Sequence, residues 1–152
     1  AQLIHVRAQL MENHQSIQFY KERLKQVPHE PENYVYLIQC YLKSDQVSEA
    51  GKVIAAGLNL FPEHALLHYF NGEALSRQGK TEEALQAWEK SAELDPKLID
   101  GRFSRAYLFE RAKRYLEAAQ EWRLIIAFMQ KYEFQDEFPK RELARIEKWI
   151  NE

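Results

Sequence analysis

The chain has a single cysteine, Cys40, so no disulfide can form within it, and an oxidising compartment is neither required nor excluded. Glycine and proline number five each in 152 residues. So little punctuation predicts long regular elements joined by short turns. An excess of one charge is missing too: 21 Lys and Arg stand against 23 Asp and Glu, a formal net charge of −2. Nucleic acid selects for concentrated positive charge, so it is not an expected partner. The longest purely apolar run, Leu124 to Met129, falls far short of the roughly 20 residues that a membrane-spanning helix needs. No signal-peptide pattern opens the chain, and it begins at Ala1 rather than Met, as a processed or excised chain does. The expected location is the cytoplasm, with the periplasm left open.

Catalytic signatures are also missing. There is no Gly-rich phosphate loop, no GxSxG, no CxxC and no HExxH frame. His64 and His68 lie four residues apart, one of the spacings that metal ligands use, but no further ligand accompanies them. Carboxylate pairs such as Glu82 and Glu83 belong to the first turn of a helix, where the helix dipole already accounts for them. An enzyme needs a convergent set of groups in a concave site, and none is legible. No cofactor, no metal and no enzymatic activity are expected.

What the chain does contain is a period. The stretch Arg77 to Pro96 shows it best: Ala84, Leu85, Trp88, Ser91, Ala92 and Leu94 recur at helical spacing. Thr81 is expected as its N-cap and Pro96 as its stop. Ala50, Ala84 and Ala118 are 34 residues apart, as are Pro28, Pro62 and Pro96; Ile54, Trp88 and Trp122; and Tyr41, Leu75 and Phe109. Small residues recur where helices must approach closely, and large apolar residues recur where they interlock.

This pattern resembles the tetratricopeptide-repeat (TPR) family, built from a helix–turn–helix unit of about 34 residues. Ile38, Gly72 and Ala106 occupy the family's small-residue position in the first helix of each unit. Ala50, Ala84 and Ala118 occupy its alanine position, and Pro62 and Pro96 its terminal proline. The family's early Trp is replaced by Tyr34, His68 and Arg102, and Gln130 stands for the last proline. The resemblance implies an all-α fold, a right-handed superhelical stack of antiparallel helix pairs in one domain. Residues 1–30 read as a degenerate repeat, 31–64, 65–98 and 99–132 as three repeats, and 133–152 as a C-terminal capping helix.

Individual helices follow from the same frame. Leu3, Ile4, Val6 and Leu10 form a first stripe, which Asn13 to Gln15 should break before a second helix, Ser16 to Val27. Further helices are expected over about 32–43, 47–60, 66–78, 81–94, 99–112 and 115–131. After Pro139 the last helix carries Leu143, Ile146, Trp149 and Ile150 on one side. It is expected to cover the open end of the array; the alternative is that it folds back over the groove.

The resemblance further implies that the first helix of each pair, helix A, lines a binding groove. The candidate faces are Val35, Gln39 and Lys43; Tyr69, Glu73 and Arg77; and Phe103, Tyr107 and Arg111, with Tyr36 and Phe70 alongside. Aromatic and Arg side chains dominate interface energetics. The expected partner is a protein or peptide segment with apolar and acidic residues, held by a non-catalytic scaffold. Chaperone-binding TPR members grip a terminal carboxylate with Lys, Asn and Arg, but those columns here hold Val35, Gln39, Phe70, Asp100 and Ser104, so such a tail is not the expected ligand. Two other roles stay open: a regulatory or targeting module of a larger transferase or kinase, and a bacterial secretion chaperone.

Overall fold

The computed structural model describes residues 2–152, with side chains described from Met11 onward. Eight helices are present among the described residues: α1 (Gln2–Gln26), α2 (Pro31–Lys43), α3 (Val47–Leu60), α4 (Ala65–Arg77), α5 (Thr81–Leu94), α6 (Asp100–Arg111), α7 (Tyr115–Lys131) and α8 (Phe138–Asn151). The bounds of α2 to α7 lie close to the helices expected from the sequence; α1 does not follow them. The chain divides into two compact bodies, one ending at Leu94 and the other beginning at Asp95.

The first body contains α1 to α5, each helix packed on the next, with α4 also packed on α2. Its core gathers Ile17 of α1, Tyr34, Leu37, Ile38 and Tyr41 of α2, Ala50 and Ile54 of α3, and Leu67 and Ala74 of α4. Two hydrogen bonds pin the turn before α2: Asn33 Nδ2 donates to the Val27 carbonyl at 3.0 Å, and the Tyr34 hydroxyl donates to the Pro28 carbonyl at 3.1 Å. The second body packs α7 against both α6 and α8. Ala118, Trp122, Ile125 and Ile146 are fully buried there.

The repeating columns hold. Ala50, Ala84 and Ala118 are completely buried. So, within 2% relative exposure, are Ile54, Trp88 and Trp122. A further period appears in the backbone. Asp45, Gly79 and Lys113, again 34 apart in sequence, all have left-handed φ, at 58°, 77° and 59°. Each follows a helix A, and the next amide hydrogen-bonds back into the last turn: Gln46 to Tyr41 O, Lys80 to Leu75 O and Arg114 to Phe109 O. This is the closure that satisfies the last carbonyls of a helix.

Three expectations are corrected. Asn13 to Gln15 do not break a helix; α1 runs unbroken for 25 residues. None of those residues is Pro or Gly, and their weak helix propensity costs only tenths of a kcal/mol each. The stripe Leu3, Ile4, Val6 and Leu10 lies outside the residues whose side chains are described. Thr81 is not the cap of α5: the helix's first bond runs from the Ala84 amide to the Lys80 carbonyl, which puts Lys80 at the cap and Thr81 inside the first turn. In α8 only Ile146 of the anticipated stripe is fully buried, while Trp149 stays 56% exposed.

Candidate functional site

In the first body, Tyr36, Gln39 and Lys43 all face solvent on α2. Tyr36 is 45% exposed, and its ring lies 5.2 Å from that of Tyr20 on α1. Phe19 extends this group: it stands edge-on to Tyr20 at 5.1 Å and is itself largely exposed. Val35, one turn before Gln39 on the same side, is buried in the core. It therefore leaves the candidate face and belongs to the core cluster of the first body.

On α4 the candidates are more engaged. Tyr69 and Phe70 are half-buried, with their rings edge-to-face at 5.1 Å. Phe70 also backs onto the core of the body. Glu73 is half-buried. Arg77 is exposed, but one guanidinium nitrogen donates to the Leu42 carbonyl at 2.6 Å. That carbonyl sits in the last turn of α2, where a cation meets the negative end of the helix dipole. Arg77 thus joins the end of one helix A to the next.

In the second body Phe103 and Tyr107 both stand edge-on to the buried Trp122, at 5.6 and 5.4 Å. Phe138, at the start of α8, closes on Phe103 and Trp122 at 6.5 and 6.0 Å. Phe103 is therefore half-buried within a ring cluster, while Tyr107 remains 37% exposed and Arg111 faces solvent. Tyr107 and Arg111 open onto a pocket of about 590 Å³, whose other walls include Tyr115 of α7 and Trp149 of α8. Those two rings are nearly parallel, 6.0 Å apart at 18°.

Electrostatics hold this pocket in shape. Arg145 of α8 forms ion pairs with Glu110 of α6 and with Glu142 of its own helix. The hydrogen bonds from Arg145 hold the Glu110 carboxyl below its ordinary range, against the opposing effect of burial. The same pairs raise Arg145 further, so both partners stay charged. Burial, reinforced by the nearby Glu142 charge, pushes the Tyr107 phenol above its ordinary value and keeps it a neutral donor. Below this, Glu121 is 5% exposed and is held by Arg105 at 2.8 Å and Arg102 at 3.6 Å.

The histidine pair is used structurally. His64 Nδ1 accepts from the Leu67 amide at 3.4 Å and caps α4. His68 Nε2 donates to the Pro62 carbonyl at 2.7 Å. Among the described residues no cluster of three His, Cys, Asp or Glu is placed to hold a metal ion. Among the same residues no helix is long and apolar enough to cross a membrane. Cys40 is half-buried, and burial raises its thiol above the ordinary value.

Sequence reasoning missed the partners of this surface. The link between Glu110 and Arg145 joins residues 35 apart, with no local signal. The pairing of Tyr115 with Trp149 was equally invisible, although the unusual density of rings near the C-terminus was a hint.

Residues 11–91 match the family described as anaphase-promoting complex, cyclosome, subunit 3. The chain belongs to this family and is a TPR protein. A TPR repeat-containing protein of Methanocaldococcus jannaschii is 36% identical over 70 residues, 46% of this chain. The match spans 21% of that relative's length. Among solved structures, MamA (residues 41 to the end) from Desulfovibrio magneticus is 21% identical with a TM-score of 0.70, covering 82% of this chain and 70% of that one. The Arabidopsis OM64 TPR domain is 20% identical with a TM-score of 0.65, covering 78% of this chain and 94% of the domain. These likenesses establish the fold: an all-α TPR solenoid.

Proposed function

We propose that this TPR chain is a non-catalytic scaffold that binds a peptide or helical segment of a partner protein through the solvent-facing sides of its A helices. The observation that carries the reading is the retention of large rings at the surface of these helices. Tyr36 is 45% and Tyr107 37% exposed, although both bodies have closed apolar cores. Exposed aromatics are costly to keep in water and are the residue types that anchor interfaces. Gln39 and Lys43 lie beside the first ring; Tyr69, Phe70, Glu73 and Arg77 form the face of α4; Phe103 backs Tyr107, and Arg111 lies one turn beyond. Cations beside rings favour a segment that mixes apolar and acidic residues.

The test is site-specific photocrosslinking in the source cell. A photoreactive residue is placed at Gln39, Tyr69 or Arg111, with Lys52 of α3 and Gln86 of α5, on the B helices (the second of each pair), as controls. The reading expects one discrete protein adduct from the A-helix positions and none from the controls. Adducts from Lys52 or Gln86 alone would move binding to the other side of the repeats. A second reading, in which the chain is one module of a longer protein, is favoured by the small share of the archaeal relative that it spans. In that setting the scaffold role would serve the larger chain.

A further inference from the structure

Three tryptophans occupy two kinds of place. Trp88 and Trp122 are buried within 1%, whereas Trp149 is 56% exposed and lies flat against Tyr115. The indole left open there is an apolar wall of a pocket of about 590 Å³. The charges around it are unequal in their freedom. Glu110 and Glu142 both converge on the single guanidinium of Arg145. Glu110 uses both of its oxygens there. Arg111, which also lines the pocket, makes no ion pair among the described residues. Both carboxylates of the pocket bond to Arg145, Glu142 through Oε2 alone, and the cation without an ion pair among the described residues is Arg111, on the same lining as Tyr107, Tyr115 and Trp149. The Tyr107 phenol, held neutral, adds a hydrogen-bond donor to the same wall.

We propose that this pocket between α6, α7 and α8 takes an acidic side chain of a partner segment together with its aromatic neighbour, the carboxylate on Arg111 and the ring against Trp149. The inference rests on the reading of the chain as a segment-binding scaffold and names what one part of that surface recognises. A carboxylate meeting a planar guanidinium forms paired, charge-assisted hydrogen bonds. The adjoining ring gains area against Trp149 and Tyr115 in one of the geometries that aromatic pairs prefer. A cationic ligand is disfavoured here, because Arg145 already occupies the carboxylates that it would need.

The experiment is an NMR titration of the full chain, read at the Trp149 indole N–H and assigned with Trp149→Phe. The probes are three blocked tetrapeptides differing in one residue: Ala-Phe-Glu-Ala, Ala-Phe-Gln-Ala and Ala-Phe-Lys-Ala. The Phe-Glu probe is expected to shift the Trp149 signal and to bind at least about fivefold more tightly than the Phe-Gln probe. Arg111→Gln, at an exposed position, should leave the fold intact and erase the difference between these two probes. A Phe-Lys probe that binds at Trp149 as tightly as Phe-Glu would overturn the inference in favour of a cation site. No Phe-Glu shift at Trp149 would overturn it outright. If that probe instead shifts signals around Tyr36 and Lys43, the pocket inference fails while the scaffold reading stands. The scaffold reading falls separately, on adducts confined to the B-helix controls.

Discussion

The indole N–H of Trp88 donates to the Tyr69 carbonyl at 3.2 Å, a bond that Trp122, its counterpart one repeat later, does not make with any described residue. The difference traces to the small-residue position of helix A. A Cβ added at Gly72 would lie 2.3 Å from Trp88 Nε1, so only glycine lets that indole descend onto the helix backbone. Ala106 fills the equivalent space with its methyl group, and Trp122 is left with a buried, unpaired donor inside a cluster of rings.

Gly72→Ala should therefore destabilise the first body, although alanine is the better helix former. Displacing Trp88 and losing its hydrogen bond outweighs the roughly 1 kcal/mol of propensity gained, for a net loss of about 2 kcal/mol. Urea unfolding followed by tryptophan fluorescence measures it. A variant as stable as the parent would mean that the indole has room to move.

The recurring left-handed residue gives a prediction of the opposite sign. Asp45 and Lys113 hold φ near +58°, where a side chain is strained, whereas Gly79 holds it freely. Asp45→Gly and Lys113→Gly should each raise stability by about 0.5–1 kcal/mol, and Gly79→Ala should lower it by about 1 kcal/mol. Midpoints of thermal unfolding for the three variants test the set together.

The Glu110 carboxyl is held below its ordinary 4.5, chiefly by hydrogen bonds from Arg145. A group whose pKa is depressed by folding adds stability above its unfolded value and loses it as the pH falls through the folded value. The ion pair that ties α8 to α6 should thus be intact at neutral pH and weaken below about pH 4.5. Quenching of Trp149 by iodide, which reaches only exposed indoles, should rise over that range. Glu110→Gln should raise quenching at neutral pH and flatten the acid response.

Much of the fold was legible because one period governs it. Ala50, Ala84 and Ala118 mark close approach, and Ile54, Trp88 and Trp122 mark interlock; each set lies in the core. Local chemistry was harder to read. Asn13 to Gln15 looked like a break because polar residues interrupt a stripe, but α1 continues through them. Trp149 looked inward from its spacing with Ile146, yet Ile146 takes the buried position and the indole lies exposed against Tyr115. What engages Arg77 and what anchors α8 are contacts from other helices, which spacing along one helix does not contain.

The most direct measurement is the affinity of the crosslinked partner segment for the intact chain and for a Tyr36→Ala, Tyr69→Ala, Tyr107→Ala triple variant, by isothermal titration calorimetry, with folding checked by circular dichroism. Loss of two or more anchoring rings predicts an affinity at least about tenfold weaker, near 1.4 kcal/mol or more. An unchanged dissociation constant in a folded triple variant would contradict the assignment of the A-helix faces as the binding surface.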